Sequence, residues 1–176
     1  MSLVQLPLFV YGTLRSDRSN AHAISGYSKS VTRACARGVL HYVDYLGDDG
    51  LRRVTVALDP TAQGKHPVLG ELVELEDEAH LHALAELDQK ELFFQDQHLA
   101  NRNRQYVYIR SIIRVDSHAG DSVWAWTYVM VSKAFVPRLQ VEPNSEGLVE
   151  FEEISAEDYD AMLAAMLRAQ EEHETC

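Results

Sequence analysis

Two short stretches of this sequence carry residues that could take part in chemistry. The first is residues 8–15, Leu-Phe-Val-Tyr-Gly-Thr-Leu-Arg, in which a short apolar strand ends in a sharp turn. Gly12 in that turn lets the backbone approach a ligand closely, or adopt a positive φ, where a side chain would obstruct it. Peptide N–H groups just beyond a strand end can bind a carboxylate or an oxyanion. The stretch is equally compatible with a plain β-turn after a buried strand.

The second stretch is residues 87–91, Leu-Asp-Gln-Lys-Glu, at the end of the clearest internal helical pattern. A carboxyl group just past a helix C-terminus lies at the negative end of the helix dipole, which disfavours its charged form. Burial beside the apolar residues 92–94 would raise its pKa further, and such a group exchanges protons readily near neutral pH. The chain has 27 acidic residues, so a solvated surface glutamate is the commoner alternative for Glu91.

Several other catalytic and metal-binding patterns do not occur in the sequence. The eight histidines form no H-E-x-x-H motif and pair with no C-x-x-C motif. Two of them, His80 and His82, are two positions apart on the predicted helix and therefore point to different faces. There is also no G-x-S-x-G elbow, no P-loop and no G-x-G-x-x-G motif. The sequence thus predicts no metal site and no cofactor.

Composition limits the partners that this chain is expected to have. Its 16 basic and 27 acidic residues give a formal charge of −11, which disfavours nucleic acid and anionic membrane surfaces as partners. No apolar run is long enough to span a membrane, and no signal-peptide pattern is present. Cys35 and Cys176 do not form a disulfide framework and suit a reducing compartment. We expect a cytoplasmic protein, a monomer or homodimer, that binds a small molecule.

Hydrophobic patterning predicts the elements that must position these residues. Six segments have strand character: 5–11, 31–43 with a bend at Gly38, 53–58, 68–75, 106–115 and 123–131. One helix is predicted over 77–87, with an apolar face made of Leu81, Leu84, Ala85 and Leu87. A terminal helix follows a capping box at Ser155 and runs to about residue 170. Consecutive strands joined by short turns favour an α+β fold with a mixed or antiparallel sheet, either open or closed into a small barrel.

The ordered set of motifs resembles one known family. The run Val10-Tyr11-Gly12-Thr13-Leu14-Arg15 resembles the signature of the γ-glutamylcyclotransferase-like family, which includes the AIG2-like proteins. Further segments that resemble the family follow in the expected order, at 36–42, 68–72, 87–91, 108–115 and 125–129. The resemblance covers about residues 7–131 and implies a small mixed β-barrel of about six strands flanked by helices. We therefore expect one domain over 1–176, with its core at about 5–131.

The resemblance also implies an activity and a set of site residues. In this family the α-amine of a γ-glutamyl substrate attacks its own γ-carbonyl, which releases 5-oxoproline and an amine. No protein nucleophile is needed, because orientation of the two reacting groups supplies much of the rate. Glu91 matches the family's catalytic glutamate and would transfer the proton. The substrate-binding residues that it implies are Tyr11, Gly12, Thr13, Leu14 and Tyr128.

Some features leave alternatives open. Leu92 stands where the family commonly has glycine after the catalytic glutamate, and the polar segment 95–105 is either a substrate-selecting lid or a solvated loop. Arg15 either attracts an anionic substrate or is solvated. Tyr108 and Arg110 either contact substrate or, as their alternation on a strand favours, belong to the core or the rim. The leaving group is an amino acid or an amine such as the lysine side chain of an isopeptide. The alternative function is a non-catalytic small-molecule-binding module of the same fold.

Overall fold

The computed structural model describes residues 5–46, 49–90, 108–130 and 139–174. Within these ranges there are seven strands and three helices. In chain order they are β1 Leu8–Val10, α1 His22–Ser25, β2 Ser28–Ala36, β3 Val39–Leu46, β4 Arg52–Asp59, β5 Val68–Leu75, α2 His80–Lys90, β6 Tyr108–Ser117, β7 Ser122–Met130 and α3 Ala156–Glu174. Among the described helices, none combines the length and the apolar character that crossing a bilayer requires.

Five of the strands close into a mixed barrel in the order β1-β5-β2-β6-β7, and β7 returns to β1. Neighbouring strands are antiparallel except β1 and β7, which run parallel with Leu8 opposite Trp126. The antiparallel pair β3 and β4 extends the sheet from β7, through a parallel contact of Leu58 with Val129. The predicted α+β class and mixed barrel flanked by helices are confirmed.

Residues 31–43, predicted as one bent strand, belong to two strands. Gly38 has a φ of 139° between β2 and β3, and a Cβ there would lie 2.6 Å from the carbonyl oxygen of Asp59. The chain changes direction at this glycine, so that β2 stays in the barrel while β3 pairs with β4 outside it. The prediction of one strand is wrong because strand-forming residues continue on both sides of the glycine without a longer turn signal.

The outer edge of β3 is paired with a segment that follows the barrel. Tyr42 donates its backbone N–H to the carbonyl oxygen of Leu139 at 2.8 Å, and Val141 donates to that of Leu40 at 2.9 Å. Side chains of this segment and its continuation enter the main hydrophobic core. Those that are buried are Leu139, Val141, Val149, Phe151 and Tyr159.

Helix α2 packs against the barrel with a face different from the predicted one. Its buried residues are His80, Ala83, Leu84 and Leu87. Leu81 is 70% exposed and Ala85 is also exposed. His80 is accommodated in the core because its Nε2 forms a 3.0 Å hydrogen bond with the carbonyl oxygen of Leu6. The predicted face is therefore wrong for Leu81 and Ala85, and the helix begins and ends three residues later than predicted.

The terminal helix α3 begins where the capping box predicts. The backbone N–H of Asp158 donates to Oγ of Ser155 at 3.0 Å, which satisfies one N-terminal donor of the helix. The helix is tied to β4 by Arg52, whose guanidinium donates to both carboxylate oxygens of Asp160 at 2.7 and 2.8 Å. The same guanidinium lies over the buried ring of Tyr159.

Strand β1 is held unusually close to β5. All three of its residues are buried. A Cβ on Gly70 of β5 would lie 2.5 Å from the carbonyl oxygen of Val10 and 2.6 Å from the ring of Phe9. Only glycine fits at this position, and the close contact fixes the end of β1, from which the Tyr-Gly-Thr-Leu turn begins.

We expect Gly70→Ala to lower the free energy of unfolding by about 1–3 kcal/mol, because the added methyl overlaps the Val10 carbonyl and the Phe9 ring. Gly26→Ala is the matched control. A Cβ at Gly26 would meet nothing within 4 Å, and its φ of −73° suits alanine. Its stability should stay unchanged or rise by up to about 1 kcal/mol. Urea denaturation compares the two, and equal effects would contradict the close approach of β1 and β5.

Candidate functional site

A small open cavity lies where the chain leaves β1. Its empty space of about 360 Å³ includes the open mouth and the solvent in it. Its described lining consists of Phe9, Val10, Tyr11, Gly12, Thr13, Leu14, Thr55, Val56, Tyr108, Thr127 and Tyr128. None of these described lining residues carries a charged side chain, so the wall is apolar with several hydroxyl groups.

The cavity brings together the predicted substrate-binding residues. Tyr11, Gly12, Thr13 and Leu14 come from the turn after β1, and Tyr128 comes from β7. Tyr11 and Tyr128 are 117 residues apart in the sequence. Glu91, which directly follows the last residue of α2, lies outside the described residues, as do Leu92 and the segment 95–105. The roles of all these residues in binding and catalysis stay predictions.

Internal hydrogen bonds hold the turn beside the cavity. The backbone N–H of Arg15 donates to the carbonyl oxygen of Gly12 at 3.2 Å, and that of Asn20 donates to the carbonyl oxygen of Thr13 at 2.8 Å. The Asn20 amide also donates to Oγ1 of Thr13 at 3.0 Å. Over the part of the chain that the structure describes, the N–H groups of Gly12, Thr13 and Leu14 have no acceptor. Three adjacent donors of this kind can bind an anionic oxygen.

Gly12 serves close approach rather than an unusual backbone torsion. It is not among the glycines with positive φ. A Cβ at Gly12 would lie 3.3 Å from Cγ2 of Val56 in β4. The positive φ is therefore wrong, and the close approach of this backbone to a ligand stays a prediction.

The side chain of Tyr11 forms hydrogen bonds with two strands of the protein. Its hydroxyl donates to the carbonyl oxygen of Tyr128 at 2.6 Å and accepts the backbone N–H of Leu58 at 3.1 Å. Because these residues lie in β7 and β4, one buried phenol connects three segments of the cavity wall. The substrate-binding role of Tyr11 stays a prediction.

Carboxylates hold the segment behind the turn from outside. Glu71 of β5 accepts the backbone N–H of Ser16 at 2.7 Å and its hydroxyl at 2.6 Å. Glu150 forms a 2.9 Å ion pair with Arg15, which is only 6% exposed. The solvated interpretation of Arg15 is therefore wrong. Arg15 is not among the described lining residues, and its attraction of an anionic substrate stays a prediction. These supporting residues could not be identified from spacing, since they are distant in sequence.

One side of the cavity is lined by residues that the sequence motifs do not predict as site residues. Thr55 and Val56 of β4 line it together with Tyr108 of β6. The Tyr108 hydroxyl donates to the carbonyl oxygen of Val56 and lies 3.4 Å from Oγ1 of Thr55. Tyr108 is thus a cavity-wall residue. The alternating pattern of its strand could not show this, because alternation alone does not distinguish a cavity wall from a filled core.

A charged pair lies directly beside Tyr128. The Tyr128 hydroxyl donates to Oδ1 of Asp88 at 2.7 Å, and Oδ2 of Asp88 is 3.1 Å from Nη1 of Arg110. The side chains of Asp88 and Arg110 are 20% and 18% exposed. Burial raises the pKa of Asp88 above its ordinary value, against the opposing effects of the Tyr128 hydrogen bond and the Arg110 charge. Arg110 is therefore a rim residue. Asp88 contacts the cavity residue Tyr128, and no sequence motif predicts a role for it.

Metal binding has no support among the described residues. In the ranges that the structure describes, no three His, Cys, Asp or Glu side chains lie close enough together to hold a metal ion.

Comparison with known proteins gives a match over most of the chain. A family model described as gamma-glutamyl cyclotransferase, AIG2-like, matches residues 8–160. Similar solved structures include YkqA from Bacillus subtilis, which is 25% identical with a TM-score of 0.44 and matches 71% of this chain and 35% of its own length. The chain therefore spans only about a third of that protein.

Two other similar structures carry family names. An AIG2-like protein from Mus musculus is 20% identical, with 84% of this chain and 95% of that one covered and a TM-score of 0.44. A gamma-glutamyl cyclotransferase is 13% identical, with 81% and 73% covered and a TM-score of 0.47. Comparison with curated proteins gave no match.

The raised pKa of Asp88 predicts how stability depends on pH. Its folded pKa lies above the ordinary value of 3.8, so the folded state binds this proton more tightly. The free energy of unfolding then falls as the pH rises through the window between the two values. We expect Asp88→Asn to be at least as stable as the wild type at pH 7, with a difference that disappears on acidification below that window.

Asp49→Asn is a control for which the pH dependence of stability is expected to have the opposite sign. Arg53 holds the pKa of Asp49 down at about 2, so the wild type gains stability as the pH rises from about 2 towards 3.8. The Asn variant should lose a small, salt-sensitive amount of stability at pH 7, since this pair is exposed. Thermal denaturation from pH 2.5 to 7 measures both variants. A clear loss of stability at pH 7 in Asp88→Asn would contradict the raised pKa.

Proposed function

Because the chain belongs to the gamma-glutamyl cyclotransferase, AIG2-like family, we propose that it releases 5-oxoproline from a γ-glutamyl amino acid or a γ-glutamylamine. The observation that carries this proposal is the cavity in which the turn of residues 11–14 meets Tyr128. The family match includes both of these segments and also Glu91. The proposed reaction needs no metal and no protein nucleophile.

The reaction is an intramolecular acyl transfer. The α-amine of the glutamyl group loses a proton and attacks the γ-carbonyl carbon, which forms a C–N bond and a tetrahedral oxyanion. The bond from that carbon to the leaving nitrogen then breaks, and the leaving amine takes up a proton. The protein must hold the substrate folded, stabilise the oxyanion and transfer one proton. Holding two groups of the same molecule in contact supplies a large effective concentration.

The turn backbone is suited to the anionic parts of this substrate. The N–H groups of Gly12, Thr13 and Leu14 are assigned to the α-carboxylate or to the oxyanion, because no described residue accepts from them. A fixed oxyanion donor typically contributes about 10²–10³ in rate. Tyr128 is assigned to the glutamyl moiety from the other side of the cavity. Glu91 is assigned as the proton carrier, at the position directly after α2.

The cavity wall also bears on the leaving group. The described lining carries hydroxyl and apolar groups but no charged side chain. A leaving amine with no carboxylate on the carbon next to its nitrogen places no negative charge close to this wall. This supports testing γ-glutamylamines, including the γ-glutamyl-ε-lysine isopeptide, beside γ-glutamyl amino acids.

Release of 5-oxoproline from that panel tests the proposal directly. We expect the wild type to release it and Glu91→Gln to be slower by about 10²–10⁴-fold, because the amide cannot carry the proton. Glu86→Gln is the matched control. Glu86 is an exposed residue of α2 that accepts a hydrogen bond from Tyr27 and does not line the cavity. This variant should turn over at the wild-type rate.

Three other outcomes would change the conclusion. A folded wild type that releases nothing from any compound contradicts the cyclotransferase assignment. If that protein still binds 5-oxoproline in calorimetry, the non-catalytic binding module is the better description. Undiminished turnover by Glu91→Gln would remove only the role of that residue.

A further inference from the structure

Four side chains from three elements meet beside the cavity, and only one of them belongs to the predicted site. They are Asp88 at the end of α2, Arg110 of β6, and Trp126 and Tyr128 of β7. Arg110 and Tyr128 are direct cross-strand partners, and the Arg110 guanidinium lies 5.0 Å from the centre of the Trp126 ring. Asp88 connects these strands to the helix.

Tyr128 is held at both its backbone and its hydroxyl. Its carbonyl oxygen accepts the Tyr11 hydroxyl, and its own hydroxyl donates to Asp88. A phenol held at both ends has little freedom to reorient in the cavity lining. The charge of Arg110 and the ring of Trp126 in turn limit the positions that the Asp88 carboxylate can take.

Stability does not explain why this pair is charged. Both side chains are about four-fifths buried, and removing two charges from water costs about as much as their attraction returns. Burial is the largest influence on the pKa of Asp88 and disfavours its charged form. The fold therefore retains a carboxylate whose ionisation opposes folding, at a point that contacts the cavity wall.

We propose that Asp88 and Arg110 are positioning residues that fix the Tyr128 phenol in the wall of the cavity. The inference rests on the proposed function, because Tyr128 acts on the γ-glutamyl group there. Asp88 lies in the last turn of α2, three positions before Glu91 in the sequence. The same carboxylate therefore anchors to β6 and β7 the helix end that leads into the assigned proton carrier.

Kinetics of substitutions at these residues test the role. We expect Asp88→Ala to lower kcat by about 10–100-fold with a smaller change in KM, because misplacement of about 1 Å costs on that order. Asp88→Asn keeps an oxygen that accepts the Tyr128 hydroxyl and should lose less. Arg110→Lys should retain more activity than Arg110→Met, because it keeps the charge.

A double-mutant cycle separates positioning from a general loss of stability. Asp88→Ala and Tyr128→Phe each remove the same hydrogen bond, so the double variant should be little slower than the slower single variant. The matched control is Asp160→Asn, which makes the Asp88→Asn change in another Asp–Arg pair. Asp160 does not line the cavity, and its substitution should leave kcat unchanged.

A readout that does not depend on turnover keeps this inference separate from the proposed function. In a Trp124→Phe background Trp126 is the sole tryptophan. Its fluorescence emission then reports the position of the Arg110 guanidinium over its ring. Asp88→Ala should shift that emission, whereas Asp160→Asn should not. Fully additive effects in the cycle, unchanged kcat in Asp88→Ala, or unchanged emission would each overturn the inference. If the wild type releases no 5-oxoproline, the proposed function fails. The emission of Trp126 then still tests whether Asp88 positions Arg110 beside this ring.

Discussion

The hydroxyl group of Tyr11 is the contact on which the arrangement of the cavity depends. It accepts the backbone N–H of Leu58 and donates to the carbonyl oxygen of Tyr128, so one phenol joins the end of β1 to β4 and β7. The register between β4 and β7 consists of one parallel contact, Leu58 with Val129. Without the hydroxyl, a buried donor and a buried acceptor would both lose a partner, which is costly in a dry interior. The position of β4 in the cavity wall therefore depends on the side chain of Tyr11, which belongs to the turn opposite this strand.

The contacts that support the turn come from outside the cavity. Gly70 lets β1 lie directly against β5, Glu71 accepts two hydrogen bonds from Ser16, and Glu150 holds the buried Arg15. These charged groups lie behind the turn, while its N–H groups border a cavity whose described lining carries no charged side chain. Donors fixed in such a place need little reorganisation when negative charge develops. This division is compatible with the proposed binding of an anionic substrate by an acidic protein.

The sequence predicts those elements whose structure is determined by residues close together in the chain. The alternation of apolar and acidic residues predicts β5 at its observed bounds, Val68–Leu75, and the motif resemblance identifies five residues that line one cavity. The division at Gly38 and the burial of His80 in place of Leu81 depend on partners elsewhere in the chain. Asp88, Arg110 and Tyr128 meet only because β6 pairs with β7 in one register. No spacing within the sequence contains that information.

The pairing of residues 139–141 with β3 has a consequence for how molecules of this protein meet one another. Closure of the five-stranded barrel leaves β3 as the last strand in the order of the sheet, with a row of peptide groups on its outer side. The segment that follows the barrel occupies part of that row, through the hydrogen bonds at Tyr42 and Val141. An uncovered edge of this kind is a template for a strand of another molecule and a starting point for aggregation. The chain thus supplies its own protection against edge-to-edge association, from a region that contributes nothing to the lining of the cavity.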